Sequence, residues 1–512
     1  MVKNAALLAP PAETVPGGRW PTAVFSHGLG GNRNAYSQVA GSVASHGVVV
    51  FCPEHRDGSA AVSFVRIPAA QDRYFVRSTR RPVPYRRIPH DVTDEVHELR
   101  NDQLRVRLWE LGLLHEAMLA LDDDDDDGVD SGSDGRRGEF ANLNKSTPKE
   151  ALDQFAGRLN VRDPGGIIWM GHSFGAATVT QFLKSVFYAD ELSAAPSAET
   201  DGYDPLYEPT PDSAIRKQIT QHNVTVLLDM WCFPLLAKST KALLDRPLPV
   251  YARSRNSDGA ETGEPIPGGK ALLAVESQDF YKWMEHLNAK ARILSPDPRA
   301  AVVEASAFRT PSGDSEPDHP DLPAKPSFFW VRGAAHLNQS DFGLLFPLLT
   351  QRIFGSRAPE RALRLNLRAI LQVLRANGVP VAPTAAADLV DGGSSSVPLS
   401  AFVRDKLADD SSSDVESERE AGAMDGVSDD SAILAQVAAG KSKIDAWEWI
   451  DIVGMGRVPD DEDGKVKDSD KAAEKQEPAM AGVIEPGVAN ADPAATDGAE
   501  DAVAAKVGAA AA

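Results

Sequence analysis

Cysteine is almost missing from this 512-residue chain, which has only Cys52 and Cys232. Two thiols build no disulfide framework, so the fold must rest on a buried core, and such usage suits a reducing compartment. Long apolar runs are missing too. No stretch reaches the roughly 18 residues of a membrane-crossing helix. The start offers five apolar residues in a row, Ala5 to Ala9, too short for a signal-peptide core. Val2 stands where N-myristoylation needs glycine. On these grounds the chain reads as cytoplasmic. Positive charge is also scarce, with 53 Lys+Arg against 74 Asp+Glu and a net charge of −21. Residues 384–512 hold 11 basic and 28 acidic side chains, a net of −17, which leaves about −4 for the rest. An acidic tail repels a phosphate backbone, so no nucleic-acid partner is expected.

What the chain does have is a pattern of short buried-type strands, each ending in a polar or glycine-rich turn. Gly166 to Met170 is apolar and β-prone, Gly171-His172-Ser173-Phe174-Gly175 follows, and Ala176 to Tyr188 has apolar residues at helical spacing. Strand, G-x-S-x-G and helix together make a nucleophile elbow. The turn is so tight that Gly171 and Gly175 must be small, and Ser173 then sits exposed at a helix N-terminus. Upstream, Pro21 to Phe25 reads as a strand that runs into Ser26-His27-Gly28-Leu29-Gly30-Gly31. Glycines there let backbone N–H groups turn toward a developing oxyanion.

Further strands are expected at 48–52, 224–228, 271–275 and 327–331, with helices at 33–46, 94–121, 149–162, 280–291, 341–352 and 360–377. Continuous apolar strands between helices point to a mostly parallel sheet covered on both faces. On the helix at 94–121, Leu99, Gln103, Val106, Trp109, Leu113 and Leu114 are expected to share one face. Asp229 directly follows a core strand downstream of the elbow, as a triad acid would, although a turn aspartate reads the same way. His336 follows the last strand through Arg332-Gly333-Ala334-Ala335, and completes the order Ser, Asp, His. His286, inside a helix, and His319, in a Pro-flanked loop, fit the role less well. The fold class is therefore an α/β-hydrolase.

The chain divides into a leading segment, 1–20, a hydrolase domain, 21–383, and an acidic low-complexity tail, 384–512. The domain carries an acidic loop at about 122–138, opened by six consecutive aspartates, and an insertion at about 190–213. The spaced ligands of a calcium loop are missing from the aspartate run. Residues 61–90 interleave arginines with aromatics; this suits either a face for anionic headgroups or a solvated insertion, and the second fits better. A tryptophan-bearing island, 444–453, interrupts the tail. It could dock on the domain, bind a partner or touch a membrane, self-docking ranking first. Removing the chain beyond about 384 is expected to leave core activity largely intact.

Six blocks resemble the platelet-activating factor acetylhydrolase family of single-chain serine esterases, its fungal members in particular. They are Phe25 to Gly30, Ser45-His46-Gly47, Glu54-His55-Arg56-Asp57, Gly171 to Thr178, Asp229 to Leu235, and Gly333 to Asn338. The resemblance implies Ser173 as nucleophile, His336 as base and Asp229 as its partner. It implies the backbone N–H groups of Leu29 and Phe174 as oxyanion donors, with His27, Gly28, Gly30, Gly171, His172 and Gly175 in support. It also implies a phospholipid substrate with a short or oxidised sn-2 chain, peripheral membrane contact, and neither metal nor other cofactor. A carboxylesterase or dienelactone-type hydrolase on soluble esters is the alternative within enzymes; a silent hydrolase fold acting through its tail is the alternative outside them.

Overall fold

The computed structural model describes residues 6–11, 15–67, 80–123, 150–196, 200–253, 266–299, 302–303, 324–354, 358–385, 388–390, 430, 432–439, 444–450 and 452–453. The acidic loop beyond Asp123, His319 and most of the tail lie outside them.

The strands are β1 (Thr22–Ser26), β2 (Val49–Phe51), β3 (Val62–Arg66), β4 (Arg80–Pro84), β5 (Ile167–His172), β6 (Thr225–Leu228), β7 (Leu272–Ser277), β8 (Val302–Val303), β9 (Ser327–Val331), β10 (Trp447–Trp449) and β11 (Ile452–Val453). Seven build the main sheet in the order β10-β9-β7-β6-β5-β1-β2. All of its pairs are parallel except β10 with β9. The helices that matter for the site are α1 (Ser37–Ser45), α2 (Asp94–Asp122), α3 (Phe174–Phe187), α4 (Gln278–Lys282), α5 (Met284–Leu294), α6 (Pro359–Ala376) and α7 (Ile433–Ala438). This is the α/β-hydrolase architecture.

Strand alternation sorts the core into two layers. Val24, Ile167, Trp169 and Leu227 face α2, α3 and α5. Ala23, Phe25, Ile168, Met170 and Val226 face α1, α6 and α7. Both faces being covered, the strands need no polar alternation, which explains their continuous apolar runs. The chain leaves β1 for β2 on one side and later returns with β5 on the other. Crevices open at such switch points, beyond the carboxyl ends of the strands. Ser26 pairs with Gly171 across this one, so the H-G-L-G loop and the elbow emerge side by side.

Several expected elements differ. The helix at 149–162 is reduced to Glu150–Asp153, and the one at 280–291 is split into α4 and α5 around Trp283. Residues 61–90 contribute a hairpin, β3 with β4. On α2 the expected face holds only in part: Gln103 is buried and Leu99 and Leu114 half-buried, but Val106, Trp109 and Leu113 are exposed, while Arg100, Arg107 and Glu110 are buried with Leu104, Leu108 and Leu111. Apolarity misled there because the charged residues are paired inside the protein, which removes the cost that normally keeps them out.

The tail island docks on the sheet. Trp447 opposes Val331 and Trp449 opposes Phe329, so β10 covers the edge that β9 would otherwise present. Asp430 enters a buried bidentate pair with Arg368 of α6, at 2.9 and 2.6 Å. These anchors give a physical reason why truncation near 384 would be costly rather than neutral.

Candidate active site

Ser173 connects β5 to α3 with φ 54° and ψ −121°, a left-handed conformation that a serine adopts at a cost. Sterics explain the flanking glycines. A Cβ on Gly171 would stand 2.5 Å from the Gly175 carbonyl carbon, and one on Gly175 would stand 2.0 Å from the Ser26 carbonyl oxygen. The H-G-L-G loop approaches as closely, since a Cβ on Gly28 would meet the Ser173 Cβ at 3.0 Å. Among the described residues, the N–H groups of Leu29 and Phe174 donate to no other residue. That of Phe174 is an orphan of a helix's first turn.

Asp229, just past β6, also has positive φ, 42°. Its N–H donates to the Val275 carbonyl at 2.8 Å. One carboxylate oxygen accepts from the Ser277 N–H, and the other is 2.9 Å from His336 Nδ1. His336 follows β9 through a turn at Gly333, whose φ is 76°. The Phe280 ring stacks on its imidazole at 4.2 Å with planes 6° apart, and the His172 ring lies 4.5 Å away on centroids. The Trp231 N–H donates to the Ser173 carbonyl at 3.2 Å, which ties the segment after Asp229 to the elbow. The elbow serine, the oxyanion loop and the Asp229–His336 pair thus share one rim of the sheet.

Burial and the Lys290 ammonium hold the His336 imidazole down to about 3, so it rests neutral. Burial raises Asp229 to about 6, against the pull of Lys290 and Ser277. His172, Asp229 and His336 bring one nitrogen or oxygen each within 4.8 Å of one another. His336 and Asp229 are engaged with each other there and His172 Nδ1 with Tyr36.

The supporting residues form a buried network behind the oxyanion loop. The Gly28 N–H donates to the Tyr36 hydroxyl at 3.0 Å, and that hydroxyl is 2.8 Å from His172 Nδ1. The His55 N–H donates to His27 Nε2 at 3.2 Å. His27 must therefore carry its proton on Nδ1, which donates to the Gly28 carbonyl at 2.9 Å. His55 lies 2.9 Å from both Ser26 Oγ and Glu110 Oε2. Arg107 pairs with Asp57 at 2.6 Å, donates to the His27 carbonyl at 2.9 Å and lies over the Phe174 ring at 4.3 Å. The Gly30 N–H donates to the Ser59 carbonyl at 2.7 Å. Burial would push Asp57 up, but Arg107 and Ser59 outweigh it and hold the carboxyl below its usual range. His286, the poorer candidate, accepts from the Cys232 N–H at 3.0 Å instead.

Sequence reasoning missed Tyr36, Arg107, Glu110, Phe280, Glu276 and Lys290. Two signals were available: a glutamate, Glu276, directly after the apolar run Ala271 to Val275, and a lysine, Lys290, in step with the apolar Leu287, Ala291 and Leu294 of α5.

Residues 6–251 match the family described as platelet-activating factor acetylhydrolase, isoform II. A putative phospholipase A2 of Schizosaccharomyces pombe is 28% identical over 370 residues, 71% of this chain and 69% of that protein. The platelet-activating factor acetylhydrolases of Bos taurus and Cavia porcellus are 35% and 32% identical, over 33% of this chain and 33% of each protein. The chain thus matches about a third of the length of these mammalian relatives. It resembles the platelet-activating factor acetylhydrolase family.

Proposed function

We propose that this chain is a serine esterase that hydrolyses the sn-2 acetyl, short or oxidised acyl ester of glycerophosphocholines to a lysophospholipid and a carboxylate. The observation that carries the reading is the 2.9 Å Asp229–His336 pair on the same rim as a strained elbow serine. Ser173 Oγ attacks the ester carbonyl while His336 takes its proton. Asp229, fixed by the Ser277 N–H, holds the imidazole with Nδ1–H toward itself and stabilises the imidazolium. The N–H groups of Leu29 and Phe174 receive the oxyanion, each donor worth roughly 3–4 kcal/mol of barrier. His336 then protonates the leaving lysophospholipid alkoxide. Water attacks the acyl-enzyme by the same route and releases the carboxylate. No step calls on a metal or other cofactor.

The phospholipid substrate is implied by the family resemblance and by the names of the relatives. Exposed Leu345, Phe346, Leu348 and Leu349 follow His336 closely in sequence and supply an apolar surface for peripheral contact with lipid. Among the described residues no helix is long and apolar enough to cross a membrane. We also keep the division into a hydrolase domain and an acidic tail.

Ser173→Ala tests the reading. Hydrolysis of a short sn-2 phosphatidylcholine should disappear while the thermal melt stays where it was; turnover that survives would overturn it. Faster cleavage of simple acyl esters than of such phospholipids would point to a soluble-ester enzyme instead.

A further inference from the structure

Behind the Asp229–His336 pair lies a second buried charge cluster. The register sets Leu228 of β6 beside Val275 of β7, so Asp229, just past the end of β6, lies beside Glu276, which stays in β7 opposite Trp330 of β9. The Lys290 ammonium of α5 lies against the Glu276 carboxyl, and both side chains are 0% exposed. Glu276 Oε1 is buried and has no hydrogen-bond partner, and the fully buried Asp229 is its neighbour, each carboxyl acting on the charge of the other.

Two carboxyl groups can hydrogen-bond only if one of them carries a proton. Asp229 already accepts from the Ser277 N–H and faces His336 Nδ1, both of which favour its anion. Glu276 has Lys290 alone, so the proton belongs on Glu276. The charge count agrees. The other titratable neighbours are Asp279 and Lys282 of α4, His286 of α5, His336 and Cys232. The histidines rest neutral, and Lys290 is the cation that faces both carboxyls, so two buried anions beside it would leave one uncompensated.

We propose that Glu276 and Lys290 are positioning residues for the Ser173 reaction: protonated Glu276 donates to Asp229, and Lys290 supplies the counter-charge. Together they keep Asp229 ionised as the partner of His336. The role rests on the hydrolase reading above and adds to it the groups that set its working pH. Burial and the nearby Asp229 raise Glu276 to about 8, in keeping with a proton held at neutral pH.

Replacing Glu276 and Lys290 together puts apolar side chains of similar volume where the two met and leaves Asp229 without donor or counter-charge. The test therefore compares Glu276→Gln, which keeps a donor, with the double variant Glu276→Leu/Lys290→Met, which loses donor and cation. In the pH profile of kcat/KM on a short-chain ester, the double variant should move the acid limb upward by about one to two units. Glu276→Gln should leave the limb close to its original position. An unmoved limb in the double variant, or an equal shift in both, overturns the proposal.

The thermal melt provides a readout that does not depend on turnover. A carboxyl raised above its unfolded value keeps its proton in the folded state while the unfolded chain has lost it, so stability falls as pH rises. Buried neutral histidines pull the other way and do so alike in both proteins, so the reading is the difference: between about pH 5 and 8 the melt of the parent chain should fall relative to that of Glu276→Gln. Two profiles that run parallel there overturn the proposal, whether or not Ser173→Ala retains turnover.

Discussion

Two buried polar networks flank Ser173, and they are built on different charge arithmetic. On the oxyanion side each carboxyl has an arginine of its own, Asp57 with buried Arg107 and Glu110 with half-exposed Arg56. On the acid side, Asp229 and Glu276 face Lys290. A balanced cluster can be sealed away permanently, because each charge replaces the water its partner loses. An unbalanced one must hold a proton, and its state then depends on pH. The first network is suited to fixing backbone, the loop that carries the Leu29 N–H. The second is suited to chemistry in which a proton moves.

The largest effect that would break this contrast lies on the acid side. Asp229→Asn should cut kcat/KM by about 10⁴-fold and leave the melt close to that of the parent, since Glu276 can then ionise beside Lys290. A variant that lost its fold instead would make the two networks alike. On the oxyanion side the expectation is reversed. Arg107→Met strands Asp57 and should cost about 3–5 kcal/mol of stability, read from denaturant midpoints; an unchanged midpoint would show that Asp57 is paired by other means. The smallest effect is that of Glu110→Gln, which keeps an acceptor for His55 Nδ1–H. Burial lifts Glu110 to about 7, so this change should cost about 1 kcal/mol and leave the acid limb of turnover in place. A shifted limb would mean that the oxyanion side also sets the working pH.

The same contrast separates what was legible in the sequence from what was not. Gly171 could be read because its reason is steric and lies within the elbow, and Gly175 and Gly28 because they stand in short motifs at strand ends, although they make room for Ser26 and Ser173, far along the chain. Asp229 and His336 could be read as well, because chain order and strand ends locate them. Arg107 and Glu110 were hidden, since a helix face is inferred from apolar side chains and α2 buries its charged ones. Glu276 and Lys290 were hidden because their pairing depends on the register of β7 beside β6 and on the placement of α5, neither of which leaves a local pattern. The docking of Trp447 was expected, but its mode as an added strand was not, because a three-residue strand carries almost no periodicity.

That added strand also bears on how the molecule is made. Arg332 and Glu448 form an ion pair across 116 positions of chain, and β9 gains its outer neighbour only from that far segment. While the ribosome supplies the intervening residues, Phe328, Phe329 and Trp330 stand on an open edge with unpaired amides, the kind of edge that recruits other chains. Nascent hydrolase domains therefore pass through a window in which they can stick to one another, and slow synthesis between β9 and β10 would lengthen it.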